Sequence, residues 1–257
     1  MAKFTSPLIV GNWKTTPDTL ASAVKFVKQL ERKCLTLGKK VPKKCYFIAT
    51  PDIFIPHLAP LAKHGYIGSQ NVSGITLGQE TGFTIPSQLL SGGAAFTIIG
   101  HSEVRKRGEH TEDRAKKLCL SLQAKLPTIL CVGEKVRDKH GNYLQELEED
   151  LKRSLALVER RFFENLIIAY EPIWAIGGKV PATQAECFEV VIAIRRALAS
   201  LSGIDHAKKI KILYGGTVKK DNARSFLEEG GVDGLLIGRS SQEVSSFVEI
   251  ISSCYSS

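Results

Sequence analysis

Two side chains suited to proton transfer stand directly after apolar runs of this sequence. His101 follows the run at residues 96–100, and Glu171 follows the run at residues 166–170. An imidazole and a carboxylate are the groups that most often act as acid and base when an enzyme moves a proton. If both runs are parallel strands of one sheet, their carboxyl ends meet at one edge, and we expect His101 and Glu171 to face one another there.

The same pattern places further polar groups after the first and fourth runs. Asn12 and Lys14 follow the first run and lie two residues apart, so they project to the same side of an extended chain. Glu103 comes two residues after His101. An amide, an ammonium and a second carboxylate are thus expected on the same rim as the imidazole and Glu171.

Two glycine-containing turns follow the last two runs. Gly215 and Gly216 precede Thr217, and Gly238 precedes Arg239. Glycines let the backbone approach a ligand closely, and successive N–H groups at the start of a helix bind anions, so these turns predict a phosphate site. Each feature alone is commonly structural, but a base, an imidazole, an ammonium and two anion loops on one rim together indicate an enzyme for a phosphorylated substrate.

The elements that must position these groups recur eight times. Short apolar runs rich in β-branched residues alternate with helical patterns along the chain. Several runs lack polar alternation, which is typical of parallel strands covered on both faces. The predicted strands are residues 8–10, 45–49, 66–68, 96–100, 128–132, 166–170, 210–214 and 234–237.

Eight such units in 257 residues fit a closed (β/α)8 barrel, an α/β fold, although the period alone leaves an open doubly wound sheet possible. No Gly-x-Gly-x-x-Gly follows the first strand, which argues against a dinucleotide-binding sheet. We find no linker or shift in composition and expect residues 1–257 to form a single domain.

Three helices carry recognisable signals. The first is predicted to begin with Thr16 as its cap and Pro17 at its first position. Apolar residues at helical spacing between 144 and 158 predict another helix in the fifth interval. Thr183 and Glu186 have the spacing of a capping box before a further helical run.

Composition restricts the possible partners. The formal charge is +9, but the lysines and arginines are spread over many segments. We therefore expect no nucleic-acid partner and at most electrostatic steering of an anionic substrate.

No apolar run is long enough to span a membrane. The six cysteines include no Cys-x-x-Cys pair, and the histidines form no ligand-spaced cluster. We therefore expect a cytoplasmic protein without a metal or another cofactor.

At this point the sequence resembles the triosephosphate isomerase family from the first strand to the eighth. The motifs that carry the resemblance are Asn-Trp-Lys at 12–14, Gly-His-Ser-Glu at 100–103, Cys-Val-Gly-Glu at 131–134, Ala-Tyr-Glu-Pro-Ile-Trp-Ala-Ile-Gly at 169–177, Tyr-Gly-Gly at 214–216 and Gly238. The resemblance implies a TIM barrel that interconverts dihydroxyacetone phosphate and glyceraldehyde 3-phosphate without a cofactor, a phosphorylated triose being the substrate.

The resemblance also implies a role for each catalytic residue. In this family a carboxylate base works opposite a histidine that stays neutral, which would make Glu171 the base and His101 the electrophile. Lys14 would hold the substrate anion and offset charge on the enediolate oxygen, and Asn12 would donate a hydrogen bond at the same place. Glu103 would organise the site beside the lysine.

Binding of the substrate phosphate is expected at Gly177, Thr217, Gly238 and Arg239. Gly177 would belong to a lid at 175–178 that closes over the substrate and excludes water. This lid is one residue shorter than the family pattern Ile-Gly-Thr-Gly-Lys, Thr217 replaces a serine, and Arg239 replaces a second glycine. The Arg239 guanidinium could contact the phosphate or point outward, and the sequence leaves both possibilities open.

The resemblance further implies a homodimer, because family members insert their third loop into the neighbouring subunit. Phe83 stands in that loop where a glutamate is common, and Val104 stands where an arginine is common. We hypothesise that an apolar pair has replaced an ionic one. Two other functions stay open, namely a phosphate-binding aldolase that uses Lys14 as a Schiff base and a catalytically silent barrel kept for binding.

Overall fold

The computed structural model describes residue 4 and residues 7–78, 80–175 and 181–255. In this part of the chain eight parallel strands form a closed barrel in sequential order, with β1 paired to both β2 and β8. The strands are β1 Leu8–Asn12, β2 Tyr46–Thr50, β3 Gly65–Ser69, β4 Thr97–Ile99, β5 Thr128–Val132, β6 Leu166–Tyr170, β7 Lys211–Tyr214 and β8 Gly234–Ile237. The (β/α)8 prediction is confirmed, and the open doubly wound sheet is excluded.

The barrel is filled by alternate residues of the strands. Leu8 and Val10 of β1 point inward, as do the equivalent pairs of other strands, because successive side chains of a strand face opposite sides. The intervening residues, such as Ile9, pack outward against the helices. Both faces of each strand are therefore apolar, which explains the continuous apolar runs in the sequence.

Helices surround the barrel. In the described residues they are α1 Leu20–Leu37, α2 Ile55–Leu58, α3 Pro86–Ser91, α4 Ser102–Lys106, α5 Thr111–Gln123, α6 Asn142–Ser154, α7 Gln184–Ser202, α8 Ile204–Ala207, α9 Lys220–Glu229 and α10 Val244–Tyr255. Short 3-10 helices lie at Gly38–Lys40, Asp52–Phe54, Ala59–Leu61, Arg160–Asn165 and Arg239–Ser241.

Two helix boundaries differ from the sequence prediction. The cap of α1 is Thr19, whose side chain accepts the Ser22 N–H, so the predicted start at Thr16 and Pro17 is wrong. The Thr16 hydroxyl instead donates to the Trp13 carbonyl at 2.7 Å and closes a turn after β1. Helix α6 ends at Ser154, and Leu155 and Val158, which were predicted to continue it, pack on the core beyond its end.

The predicted capping box at the start of α7 is confirmed. The Glu186 N–H donates to the Thr183 hydroxyl at 3.2 Å, and the Thr183 N–H donates to the Glu186 carboxylate at 2.7 Å. These two bonds satisfy backbone donors that the first turn leaves free. They fix where the chain re-enters the barrel wall after the loop that follows β6.

Candidate active site

Glu171 lies at the carboxyl end of β6 and is 1% exposed. One of its carboxylate oxygens, Oε2, accepts the backbone N–H of Ser102 at 2.9 Å. The other, Oε1, lies 3.2 Å from Nε2 of His101. The structure therefore brings the predicted carboxylate and imidazole into direct contact at the rim, where β4 and β6 end.

Two glycines make room for Glu171. A Cβ atom on Gly133, which follows β5, would lie 1.8 Å from the Glu171 carbonyl oxygen. A Cβ atom on Gly215, which follows β7, would lie 3.0 Å from Cγ of Glu171. Both neighbours of β6 are thus followed by a residue without a side chain; Gly133 leaves room for the Glu171 backbone and Gly215 for its side chain.

His101 caps the short helix α4, and this hydrogen bond defines its tautomer. The Glu103 N–H donates to Nδ1 of His101 at 3.2 Å, so Nδ1 acts as an acceptor and carries no proton. In the neutral ring the proton is then on Nε2, the nitrogen that faces Glu171. This ring is 12% exposed and can present an N–H donor to a ligand at the rim.

Lys14 reaches the same rim from β1. Its ammonium contacts the Glu103 carboxylate, and Asn12 Oδ1 accepts the Lys14 backbone N–H at 3.0 Å. Partial burial alone would raise the pKa of Glu103, but Lys14, with smaller contributions from His101 and Arg107, brings that pKa below its ordinary value. Glu103 is accordingly ionised at neutral pH and holds the ammonium in place.

The predicted phosphate residues follow β7 and β8. Thr217 is half-buried, Gly238 begins the 3-10 helix Arg239–Ser241, and Arg239 is exposed. A Cβ atom on Gly238 would lie 3.7 Å from Cε of Lys14, so the two predicted anion-binding groups are adjacent. Gly177 and the rest of the predicted lid tip from residue 176 onward lie outside the described residues.

Glu134 holds the residues that precede the predicted lid tip. Oε1 of Glu134 accepts hydrogen bonds from Trp174 Nε1 at 2.7 Å, from the Tyr170 hydroxyl at 2.8 Å and from Arg137 Nε at 3.0 Å. The Arg137 guanidinium also lies 5.4 Å from the centre of the Trp174 ring. These contacts link the loop after β5 to the first residues after Glu171.

Sequence reasoning assigned no role to three groups in this region: two of them contact the Glu171 side chain, and the third, the Glu134 carboxylate, binds the side chains of Tyr170 and Trp174 on either side of it. The Ser102 N–H, the Cys131 thiol and the Glu134 carboxylate all lie inside the quoted motifs, so their neighbourhood was recognisable but their contacts were not. Burial raises the pKa of Cys131 well above its ordinary value, and the Glu171 carboxylate adds to the rise. The thiol therefore stays protonated beside the candidate base.

The residues that the structure describes bear on metal binding, membrane insertion and disulfide formation. Within them no group of three His, Cys, Asp or Glu side chains is arranged to hold a metal ion. No helix in the same ranges combines the length and the apolar character needed to cross a membrane. All six cysteines are free thiols.

The fold and the site define the chain as a (β/α)8-barrel protein with a buried carboxylate–imidazole pair at its carboxyl rim. The family model for triosephosphate isomerase matches residues 7–254. The chain is 34% identical over 249 residues to "Triosephosphate isomerase" of Caldanaerobacter subterraneus subsp. tengcongensis, covering 95% of this chain and 98% of the relative. It is 42% identical over 188 residues to that of Nitratidesulfovibrio vulgaris, covering 72% and 74%, and 32% identical over 249 residues to that of Leptospira interrogans, covering 95% and 98%. This chain belongs to the triosephosphate isomerase family.

Proposed function

We propose that this protein, taken as one barrel domain of residues 1–257, interconverts dihydroxyacetone phosphate and D-glyceraldehyde 3-phosphate through an enediolate, without a cofactor. The observation that carries the proposal is the 3.2 Å contact between Glu171 Oε1 and His101 Nε2 at the carboxyl rim. A carboxylate and an N–H donor side by side are what a reaction needs when it removes a proton next to a carbonyl group. We expect the protein to act in the cytoplasm. The six free thiols support this expectation, because cysteines stay reduced in that compartment.

In the first step of the proposed reaction Glu171 acts as the base. Its carboxylate engages the Ser102 N–H and His101, so a bound substrate must replace these contacts before the carboxylate can act. The substrate carbonyl oxygen takes the place of Oε1 as acceptor for His101 Nε2–H. Glu171 then takes a proton from the carbon next to the carbonyl and later returns it to the neighbouring carbon. His101 passes its Nε2 proton to the carbonyl oxygen and regains one from the neighbouring hydroxyl oxygen, so that the carbonyl and the hydroxyl exchange places.

The remaining rim residues stabilise the intermediate. His101 Nε2–H and the Lys14 ammonium lie where they can offset charge on the enediolate oxygens, an effect that is strongest in a site without water. Asn12 uses its Oδ1 for the Lys14 N–H, which leaves its NH₂ group to donate to the substrate. Glu103 keeps the ammonium at the rim and takes no part in proton transfer.

The phosphate group is assigned to the loops after β7 and β8, with Thr217, Gly238 and Arg239 as binding residues. The closeness of Gly238 to Lys14 supports this assignment, because the ammonium then lies next to backbone N–H groups at the start of a 3-10 helix. Gly177 is proposed to donate its N–H when the lid closes and shields the enediolate phosphate from water.

The test is a coupled assay with glyceraldehyde 3-phosphate on the parent and on Glu171→Asp. Shortening the side chain withdraws the carboxylate by about one bond length, and a misplacement of about 1 Å can lower the rate roughly 100-fold. We expect turnover in the parent and a loss of that size in kcat of the variant. A folded parent without turnover would support the silent barrel, and a borohydride-trapped adduct on Lys14 would support the aldolase.

We also propose that the protein is a homodimer joined through the loop after β3. Leu77 and Phe83 of this loop are 80% and 58% exposed, and Ile53, in the loop after β2, is 75% exposed. Large apolar side chains on loops at one end of a barrel are typical of a surface that a second subunit covers. Sedimentation of the parent and of Phe83→Glu tests this. A variant that assembles and unfolds like the parent would contradict the apolar pairing of Phe83 with Val104.

A further inference from the structure

Lys14 has a backbone conformation that lysine rarely adopts. Its φ angle is 56°, in the left-handed region, where the Cβ atom of any residue other than glycine is crowded. Such a conformation persists only where the surroundings impose it, and it is found mainly at functional sites. The surroundings of Lys14 therefore show which residues keep its ammonium at the rim.

The two peptide groups that flank the Lys14 Cα are each held by a glutamine side chain. The carbonyl of Trp13 accepts a hydrogen bond from Gln242 Nε2 at 3.1 Å, and the carbonyl of Lys14 accepts one from Gln70 Nε2 at 2.7 Å. The φ and ψ angles of a residue are the relative orientations of these two peptide planes. Gln242 and Gln70 hold one plane each, and Asn12 Oδ1 also holds the Trp13–Lys14 plane by accepting the Lys14 N–H at 3.0 Å.

The contacts of Gln70 require an amide at this position. Its Nε2 donates to the Lys14 carbonyl and also to the carbonyl of Ala49 in β2, at 3.1 Å. Two acceptors face the same atom, so only a nitrogen with two hydrogens satisfies both. A glutamate of the same shape would direct a carboxylate oxygen at two carbonyl oxygens.

The hydrogen bond from Gln242 to Trp13 is one of two that join these loops in opposite directions. Trp13 Nε1 donates to the Ser241 carbonyl at 3.1 Å, while Gln242 Nε2 donates back to the Trp13 carbonyl. Ser241 and Gln242 end the turn that begins with Gly238, so the loop bearing Lys14 is tied to the proposed phosphate loop. The two anion-binding groups thereby keep a fixed separation.

We infer that Gln70 and Gln242 are positioning residues that hold Lys14 in its left-handed conformation, so that its ammonium faces the substrate phosphate and the enediolate oxygen. This inference rests on the proposed function of Lys14. Gln70 has the larger effect, because the Trp13 carbonyl also accepts from the Thr16 hydroxyl at 2.7 Å and the Thr16 N–H at 3.1 Å. The Lys14 carbonyl depends on Gln70.

The experiment compares Gln70→Met and Gln242→Met with the parent in steady-state turnover of glyceraldehyde 3-phosphate and in inhibition by inorganic phosphate. Methionine keeps the shape of the side chain and removes its donors. We expect kcat/KM to fall about 20-fold for Gln70→Met and about threefold for Gln242→Met, with weaker phosphate inhibition in both, because loss of a partner for a part-buried carbonyl is costly. Gln145→Met, which removes an exposed bond to Glu149 on α6, is the control and should leave all constants unchanged.

The Lys14→Ala enzyme separates positioning from general destabilisation. If the glutamines act through the ammonium, Gln70→Met has no further effect on the residual turnover of Lys14→Ala, measured at high enzyme concentration. An equal loss in both backgrounds, or unchanged phosphate inhibition in both glutamine variants, would overturn the inference. Full turnover of Lys14→Ala itself would instead refute the role that the proposed function gives to this lysine.

Discussion

The substitution Gly133→Ala tests how closely β5 and β6 must approach to place Glu171, the proposed base. A Cβ atom at this position lies 1.8 Å from the Glu171 carbonyl oxygen, whereas unstrained contacts begin near 3.4 Å. The strands cannot separate freely here, because the Glu171 N–H donates to the Val132 carbonyl at 2.7 Å and the Ile173 N–H donates to the Glu134 carbonyl at 3.1 Å. The added methyl must therefore displace the backbone of Glu171 by roughly 1.5 Å.

A displacement of this size has two measurable effects. Since about 1 Å of misplacement can reduce a rate about 100-fold, we expect kcat of Gly133→Ala to fall by about 100-fold or more. Overpacking of this kind costs about 1–3 kcal/mol of unfolding free energy, which corresponds to a drop of roughly 2–12 °C in the melting temperature of a chain of this size. Turnover and thermal unfolding would be measured together.

The control is Gly92→Ala, where the nearest atom to a new Cβ lies 3.4 Å away. This variant should keep the kcat and the melting temperature of the parent within error. A folded Gly133→Ala enzyme with kcat within threefold of the parent would refute the reasoning, because the proposed base would then tolerate a shift of its own backbone.

Two further substitutions test the part-buried carboxylate of Glu31 and the buried carboxylate of Glu134. Burial alone would raise the pKa of Glu31, but hydrogen bonds from Tyr46 and His64 bring it below its ordinary value, so its stabilisation is present above about pH 4 and is lost as the pH falls through the folded pKa. Glu31→Gln should therefore lower the unfolding free energy by about 2 kcal/mol at pH 7, with a smaller difference at about pH 3, in urea titrations at both pH values. An equal difference at both pH values would contradict the assignment. Trp174→Phe removes one of three donors to Glu134 and should cost about 1 kcal/mol in the same titration at pH 7, and an unchanged midpoint would show that this bond contributes nothing to stability.

The strands could be predicted from the sequence because burial on both faces leaves a direct signal. Residues 128–132 and 166–170 were predicted with the bounds that the structure gives to β5 and β6. The start of α1 could not be predicted from the sequence, because Thr16 and Thr19 are both suitable caps by residue type. The choice depends on the Trp13 carbonyl, which engages the Thr16 hydroxyl. The residue types alone do not show that the Thr16 hydroxyl binds this carbonyl and does not cap the helix.

The site was predictable to the level of which side chains reach the rim, and no further. The rule that strands end at one edge put His101, Glu171 and Lys14 together, and the structure brings the first two into contact. Their fine positions depend on backbone groups and on residues such as Gln70 and Gln242, which lie in unremarkable loop sequence. Nothing in a single sequence distinguishes a glutamine that holds a carbonyl from one that faces solvent.

Closure of the barrel explains why strand ends alone do not define the site. Lys14 follows β1 and Gly238 follows β8, at opposite ends of the chain, and they become neighbours only because β1 pairs with β8. In an open sheet with the same eight strands, both residues could still lie at the carboxyl edge while standing several strands apart, at about 4.8 Å per strand. The ammonium and the backbone N–H groups could not then bind one phosphate. The proposed phosphate site is therefore a consequence of closure, and substitutions that loosen the β1–β8 pair should weaken phosphate binding before they affect the contact between His101 and Glu171.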